Sequence, residues 1–170
     1  RGVRRVLESL GGPVLDASGF EATLRDDASI GGVLLTGNYP SAWITPKLSE
    51  AIDGGRYIVM FETLPNAMTP RADVVLPAST WMEKSGTFES AQRRLQSFQQ
   101  AVAPAHWCKS EAQIAIDLLA RLRGEDPTAY CPERTHDAMA NSELDEMVRE
   151  IQHPAMDDVQ AETDMHLIVL

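Results

Sequence analysis

The sequence predicts an α/β fold, a small doubly wound and mostly parallel sheet flanked by helices, followed by a helical C-terminal extension. Short apolar runs typical of buried strands alternate along the chain with segments whose apolar residues recur at helical spacing. The order strand, helix, strand, loop, strand is that of parallel strands joined by crossover connections. A length of 170 residues suits one domain, or one domain and a small appendage.

The chain opens with a predicted helix and continues into a predicted strand. Residues 3–10 carry Val and Leu at helical spacing, and two glycines follow where a left-handed C-cap would lie. We expect an irregular stretch from there through Asp27. Residues 31–36 then form a short apolar run of the kind found in strands buried on both faces.

A second helix and two further strands complete the predicted sheet. Thr45 predicts a helix N-cap, Pro46 suits the first helical position, and the pair of glycines beginning at Gly54 ends the helix. Residues 57–61 and 73–77 are apolar runs that predict strands.

The most strongly patterned helix lies between Ser110 and Gly124. Ser110 and Gln113 have the spacing of a capping box, and Gly124 follows the last periodic residue. We expect one apolar face on this helix to pack against the rest of the fold. That face consists of Ile114, Ala115, Leu118, Leu119 and Leu122.

A domain boundary is predicted after residue 124, because residues 125–137 are rich in turn formers. We therefore expect an α/β segment over 1–124 and a helical or irregular extension over 125–170. In the extension, Ser142 and Asp145 cap a predicted helix that either docks a partner or, as we favour, packs onto its own domain. The apolar residues of this helix are Leu144, Met147, Val148 and Ile151, and an apolar run over 167–170 ends the chain.

Composition argues against several classes of function. A formal net charge of −10 disfavours nucleic acid as a partner, because binding to phosphate backbones depends on clustered Lys and Arg. No apolar run approaches the length of a membrane-spanning helix, and no signal peptide precedes the chain, so we expect a soluble piece of a longer protein. Two cysteines without a CxxC spacing do not supply a zinc site or an iron–sulfur cluster.

Polar residues collect in the loops that follow the predicted strands. In an open parallel sheet, ligands bind at the edge where the strands end, so these loops could hold a polar, nucleotide-like ligand. The alternative, which composition alone favours, is that they are ordinary turn residues. If the strands are parallel neighbours, we expect Asn38, Thr63 and Asp73 to lie close together. The loops are 37–40, 62–72 and 78–88, and their polar residues are Asn38, Glu62, Thr63, Asn66, Thr69, Asp73, Ser79, Thr80, Glu83, Lys84 and Thr87.

Two smaller constellations have an ordinary and a chemical interpretation. Glu62 and Glu83 could act as a general acid pair, but loop capping is favoured because nothing in the sequence fixes their distance. His106, Trp107 and Cys108 could suggest a ligand cluster, but three adjacent residues cannot all face one ion, so a surface turn is favoured.

Residues 72–96 resemble the signature of the prokaryotic molybdopterin oxidoreductases. Ala-Asp-Val-Val-Leu-Pro leads through small residues to Glu83, followed by Gly-Thr-Phe at 86–88 and the basic pair at 93–94. The loop over 62–72 is similar to the family's loop before this strand, and Gly-Asn-Tyr-Pro at 37–40 is similar to its turn. The resemblance runs from about Val33 to Leu122, roughly half the chain.

The resemblance implies a cofactor and a set of residues that bind it. In the family this region belongs to the doubly wound part that holds molybdopterin guanine dinucleotide. Gly37 and Asn38 would approach the cofactor through backbone and amide, Thr63 and Asp73 would meet its nucleotide end, and the remaining three would line the neighbouring loop. The residues assigned to cofactor binding are Gly37, Asn38, Thr63, Asp73, Lys84, Gly86 and Thr87.

Four departures from the family pattern favour one of its branches. Asn66 and Met68 stand where the family usually has small residues, and Ser90 and Gln92 stand where it commonly has Asn and Glu. They favour the iron–sulfur subunit of bacterial NADH-quinone oxidoreductase (NADH dehydrogenase I), which we call the NADH-quinone branch, over catalytic members such as formate dehydrogenases and nitrate reductases. The chain would then be a scaffold and interaction segment with no catalytic residue, metal ligand or bound cofactor of its own.

The NADH-quinone branch implies the setting of the chain. Iron–sulfur clusters would lie upstream in the parent chain, and other subunits of a respiratory complex would be the partners, on the cytoplasmic side of the membrane. We also expect the isolated fragment to self-associate, because truncation would bare a strand edge and apolar surface. The alternatives are a cofactor-binding segment of a catalytic molybdenum or tungsten oxidoreductase and a stand-alone nucleotide- or protein-binding module.

Overall fold

The structure is a computed structural model that describes residues 2–9, 13–37, 41–105 and 107–140. The described chain forms two compact units. The sheet unit comprises the described parts of Leu15–Thr80 and Pro104–Glu111, and the hairpin unit comprises those of Arg1–Val14, Trp81–Ala103 and Ala112–Asp164. In the part of the chain that is described, no helix has the length and apolar character needed to span a membrane.

Three parallel strands form the sheet unit's centre. They are β1 (Gly32–Thr36), β2 (Tyr57–Glu62) and β3 (Val74–Pro77), in the order β1-β2-β3. Val33 pairs with Ile58, and Val59 pairs with Val74. The predicted α/β class with a small parallel sheet is confirmed, because each apolar run forms a strand and each connection is long enough for a crossover.

Helix α2 (Ala17–Asp26) occupies the stretch that we expected to be irregular, so that prediction is wrong. The Asp16 carboxylate accepts a hydrogen bond of 2.7 Å from the Gly19 backbone N–H and caps the helix. Phe20 and Leu24, one turn apart, are its buried residues. Two large apolar residues give too short a period to be recognised in the sequence.

Helix α3 (Pro46–Ile52) begins as predicted, with the Thr45 hydroxyl accepting a hydrogen bond of 3.1 Å from the Leu48 backbone N–H. Arg56 then joins the ends of two helices. Its guanidinium donates to the carbonyl of Ala51, in α3, and to that of Leu24, in α2. A cation at two carbonyl ends satisfies acceptors that the helices leave open.

The core of the sheet unit lies between one face of the sheet and helices α2 and α3. Along β1, buried residues alternate with half-buried ones, so the strand is fully buried on one face rather than on the two that its apolar run predicted. The core residues are Phe20, Leu24, Val33, Leu35, Trp43, Leu48, Ala51, Ile52, Ile58, Met60 and Met68.

The hairpin unit contains two antiparallel strands that the sequence did not reveal. They are β4 (Gly86–Glu89) and β5 (Leu95–Phe98), and the rings of Phe88 and Phe98 stack with centroids 4.7 Å apart. The turn between them holds Arg93 at a φ of 61° and lacks the Asn-Gly or Gly-containing pair that marks hairpins in sequences. Helix α1 (Gly2–Ser9), which was predicted, is tied to β4 by an ion pair of 2.8 Å between Arg5 and the buried Glu89.

Two more helices belong mainly to the hairpin unit. The predicted helix is present as α4 (Glu111–Arg123), and Gly124 follows with a φ of 70°. A further helix, α5 (Pro132–Ala140), packs against β4 where turns were expected. Proline at the first helical position was the signal for it. The domain boundary predicted after residue 124 stays a prediction, and the helix over 142–151 and the run over 167–170 lie outside the described residues.

Candidate functional site

The carboxyl edge of the sheet brings together the ends of β1 and β2. Thr36 is paired with Phe61, so the next residues along the two strands, Gly37 and Glu62, are neighbours at this edge. Thr63 follows Glu62 directly. Two of the residues that the sequence predicted for a ligand site, Gly37 and Thr63, therefore lie at one edge, whereas Asn38 lies outside the described residues.

Glu62 is a buried carboxylate, with 6% of its surface exposed. Its Oε2 accepts hydrogen bonds from Trp43 Nε1 at 3.1 Å and from Asn66 Nδ2 at 2.9 Å. Its Oε1 accepts one from the Thr63 backbone N–H at 3.1 Å. Three donors offset the loss of water around a buried charge, and the loop-capping interpretation of Glu62 is confirmed.

Gly37 has no room for a side chain. A Cβ built on it would lie 2.4 Å from Trp43 Cε2, well inside van der Waals contact. The indole of Trp43 therefore packs directly on the Gly37 backbone while its N–H reaches Glu62. Sequence reasoning missed Trp43, because an aromatic residue seven positions after a strand carries no pattern that connects it to the strand's end.

The loop after β2 is folded by its own side chains. Asn66 Oδ1 accepts from the Met68 backbone N–H at 2.9 Å, and the Thr69 hydroxyl accepts from the Asn66 backbone N–H at 2.8 Å. Met68 is fully buried in the core, where the Ser49 hydroxyl donates to its sulfur at 3.3 Å. The bulk of Met68 thus fills the core beneath α3 and does not reduce space at the edge.

A cavity of about 200 Å³ opens beside Glu62. Apolar side chains form most of its wall, and Glu62 with Asn66 supplies hydrogen-bonding groups. The described lining residues include no Lys or Arg, so the cavity suits a ring that carries N–H or O–H donors better than a phosphate. The residues that define it are Trp43, Ile44, Glu62, Leu64, Pro65 and Asn66.

Asp73 lies at the opposite edge of the sheet, and the expectation that it would lie near Thr63 is wrong. It precedes β3, and its Oδ2 accepts a hydrogen bond of 2.7 Å from the backbone N–H of Ile58, at the start of β2. Asp73 also donates its own N–H to the Ile58 carbonyl at 2.9 Å. The error has a simple cause: a residue before a parallel strand and a residue after its neighbour lie at opposite ends of the sheet.

The remaining three predicted residues, Lys84, Gly86 and Thr87, belong to the hairpin unit. A Cβ on Gly86 would lie 2.9 Å from the Phe98 ring, so this glycine allows a close ring contact within the hairpin. The Thr87 hydroxyl is buried and has no hydrogen-bond partner in the part of the chain that is described. Cofactor binding by these residues stays a prediction.

Two other features of the sheet unit bear on chemistry. Ser79, just beyond β3, is 1% exposed, and its backbone N–H donates to the Lys109 carbonyl at 2.8 Å. Over the described ranges, no three His, Cys, Asp or Glu side chains are arranged to hold a metal ion. Cys108 and Cys131 are free thiols, and His106 lies outside the described residues.

Two comparisons with known proteins agree on a family. Residues 55–121 match the model of the molybdopterin oxidoreductase family. A nitrate reductase of Symbiobacterium thermophilum is 33% identical over 66 residues, which are 39% of this chain and 9% of that protein. The chain therefore spans a small part of the relative's length. Both matches support the family resemblance that the sequence indicated, and neither distinguishes between its branches.

Proposed function

We propose that this chain is part of a larger oxidoreductase of the molybdopterin family, in which the cavity beside Glu62 receives one ring of the nucleotide end of molybdopterin guanine dinucleotide. The family matches support the redox class. The position of the cavity at the carboxyl edge of a parallel sheet supports a nucleotide-like ligand. The observation that carries the proposal is the buried Glu62 carboxylate on the cavity wall.

The residues present fit part of this cofactor. A guanine ring offers N–H donors, and Glu62 offers carboxylate oxygens beside an apolar wall. The volume of about 200 Å³ is below the roughly 300–1,000 Å³ typical of pockets for whole ligands, so one ring system is the largest group that we assign to it. The pyrophosphate would need cations or backbone donors from elsewhere. When bound, the cofactor supplies the redox chemistry, and this chain holds and orients one end of it.

The branch of the family is a separate question. Met68 was one reason to favour the NADH-quinone branch, and its burial in the core removes that reason. The second candidate function, a scaffold role in NADH-quinone oxidoreductase, is favoured by Ser90 and Gln92 in place of Asn and Glu. In that role iron–sulfur clusters elsewhere in the parent would carry the electrons, and other subunits of a respiratory complex would be the partners.

A binding experiment tests the cavity. We expect guanosine monophosphate to bind the 170-residue chain, detected by calorimetry, and adenosine monophosphate to bind more weakly because adenine lacks the ring N–H of guanine. Glu62→Gln should weaken guanosine monophosphate binding by about tenfold or more, since an amide N–H then faces the ligand's donors. Glu50→Gln, on the exposed side of α3, is the matched control and should bind normally. Equal binding by the two variants would contradict the proposal.

The metal content of the full-length protein tests the branch. Stoichiometric molybdenum, with a pterin released by acid, is expected for a catalytic member of the family. Iron without molybdenum is the outcome that the NADH-quinone branch requires. We expect the 170-residue chain alone to purify colourless in either case, because one cavity holds only one end of the cofactor.

A further inference from the structure

The C-terminal half of α4 turns its leucines toward solvent. Leu118, Leu119 and Leu122 are 42%, 50% and 83% exposed. Residues three and four positions apart lie on the same side of a helix, so the three form one stripe, which we call the leucine face. The buried residues of α4, Ile114 and Ala120, lie to either side of it. The face that the sequence pattern marks as core is thus the uncovered one.

An uncovered leucine face is costly in water. Burying one leucine side chain stabilises a protein by roughly 1.5–3 kcal/mol, and single exposed apolar residues are common, whereas contiguous apolar stripes mark surfaces that are covered by something. Two arginines, Arg121 and Arg123, alternate with Leu122 along the helix and therefore flank the leucine face on its two sides. The surface is an apolar stripe with basic borders.

We propose that the leucine face is the docking surface for residues 142–151 of this same chain, folded as an amphipathic helix. This segment has the matching pattern, an apolar stripe with acidic borders. Its stripe recurs at i, i+3, i+4 and i+7, which is the spacing that one helix offers another. Its net charge, four acids against one arginine, is opposite to that of the borders of the leucine face. The stripe is Leu144, Met147, Val148 and Ile151, and the acids are Glu143, Asp145, Glu146 and Glu150.

The segment begins close enough to reach α4. The last residue of α5, Ala140, belongs to the same unit as α4, and the first stripe residue, Leu144, follows four positions later. Four residues span at most about 14 Å when extended. The loop that leads into α5 is also fixed to α4, because Gln113 Oε1 accepts a hydrogen bond of 2.7 Å from the Tyr130 backbone N–H. A tether of this length gives an effective concentration in the millimolar range, well above that of a second copy in dilute solution.

Hydrogen exchange on the intact 170-residue chain tests this proposal. At low micromolar concentration, we expect the amides of residues 144–151 to exchange at least about tenfold more slowly than in an unstructured chain. The double variant Leu119→Lys, Leu122→Lys places two charges on the leucine face and should remove that protection. Both substituted side chains are half exposed or more, so protection of β4 and β5 should persist and report an intact fold.

Val102→Lys is the matched control. Val102 is an exposed apolar residue of the same unit, 49% exposed, and lies outside α4. The protection of residues 144–151 should be unchanged by this substitution. Reversing one border with Arg123→Glu should lower the protection, and lower it less at high salt, because the attraction between the borders is screened.

Three results would overturn the proposal. The first is unprotected exchange over residues 144–151 in the unsubstituted chain. The second is protection that survives the double variant. The third is protection that grows with protein concentration together with a dimer mass in light scattering, which would assign the leucine face to a second copy of the chain.

Discussion

Glu62 stabilises the edge of the sheet as an acceptor for three donors. Removing its side chain leaves the Trp43 and Asn66 donors without this acceptor. We expect Glu62→Ala to lower the free energy of unfolding by about 1–3 kcal/mol, the cost of unsatisfied buried polar groups. Urea denaturation followed by circular dichroism measures it. Glu50→Ala, at an exposed position of α3, should change it by less than about 0.5 kcal/mol, and an equal loss in both variants would contradict this account.

Gly37 and Gly31 make a matched pair of glycines at the two ends of β1. A Cβ on Gly37 would lie 2.4 Å from the Trp43 ring, whereas a Cβ on Gly31 would meet nothing within 4 Å. We expect Gly37→Ala to displace Trp43 and to lower the free energy of unfolding by about 1–3 kcal/mol. Gly31→Ala should have no such effect. Thermal unfolding of both variants distinguishes steric displacement from a general intolerance of alanine near this strand.

Asp27 has a pKa held below its ordinary value, first by the hydrogen bond from the Ser29 hydroxyl and then by that from the Ser29 backbone N–H. A lowered pKa in the folded state gives stabilisation that is complete above the unfolded pKa and is lost as the pH falls through the folded pKa. We expect Ser29→Ala to raise the pKa of Asp27 partway toward its ordinary value. Carbon-detected NMR titration measures it, with Ser41→Ala as the control that should leave it unchanged.

Among the elements, the sheet separates two residues that the family resemblance assigns to one ligand. Asp73 accepts from the Ile58 N–H at the amino edge, and Thr63 lies at the carboxyl edge. We expect Asp73→Ala to lower the free energy of unfolding by about 1–3 kcal/mol while leaving guanosine monophosphate affinity unchanged. Denaturation and calorimetry on the same variant measure the two quantities. A stable variant with lost binding would return Asp73 to the ligand site.

Helix α4 shows what periodicity leaves open. The period of Ile114, Leu118 and Leu122 indicates an amphipathic helix, and the helix is present. The period does not say which neighbour covers the apolar face, since that depends on where other elements lie. In the hairpin unit, α4 buries Ile114 and Ala120 and leaves Leu122 exposed.

For the whole molecule, the oligomeric state is the informative measurement. The expectation that the chain self-associates stays a prediction, and a leucine face covered by residues 142–151 predicts a monomer instead. We expect light scattering to give a mass that does not rise between low and high micromolar concentration. If the mass does rise, the Leu119→Lys, Leu122→Lys variant identifies the interface: a monomeric variant would place the self-association on α4.

The sequence by itself determined the elements whose signals are local. The caps at Thr45 and Gly124, the apolar runs of β1 to β3 and their parallel order follow from hydrogen bonding and spacing along the chain. The family resemblance also came from the sequence, because the segment over 72–96 is continuous. Helix α2, the hairpin and α5 escaped because their signals are short or ambiguous.

Only the tertiary structure decided the site. Trp43 meets Glu62 from 19 positions away, and Gly37 is required by the ring that packs on it. The edge at which a residue lies depends on strand direction, which moved Asp73 away from Thr63. Whether an apolar residue such as Met68 fills a core or a cavity depends on what surrounds it. These are contacts between distant parts of the chain, and spacing along the sequence carries no record of them, because burial and close approach arise only when the elements pack.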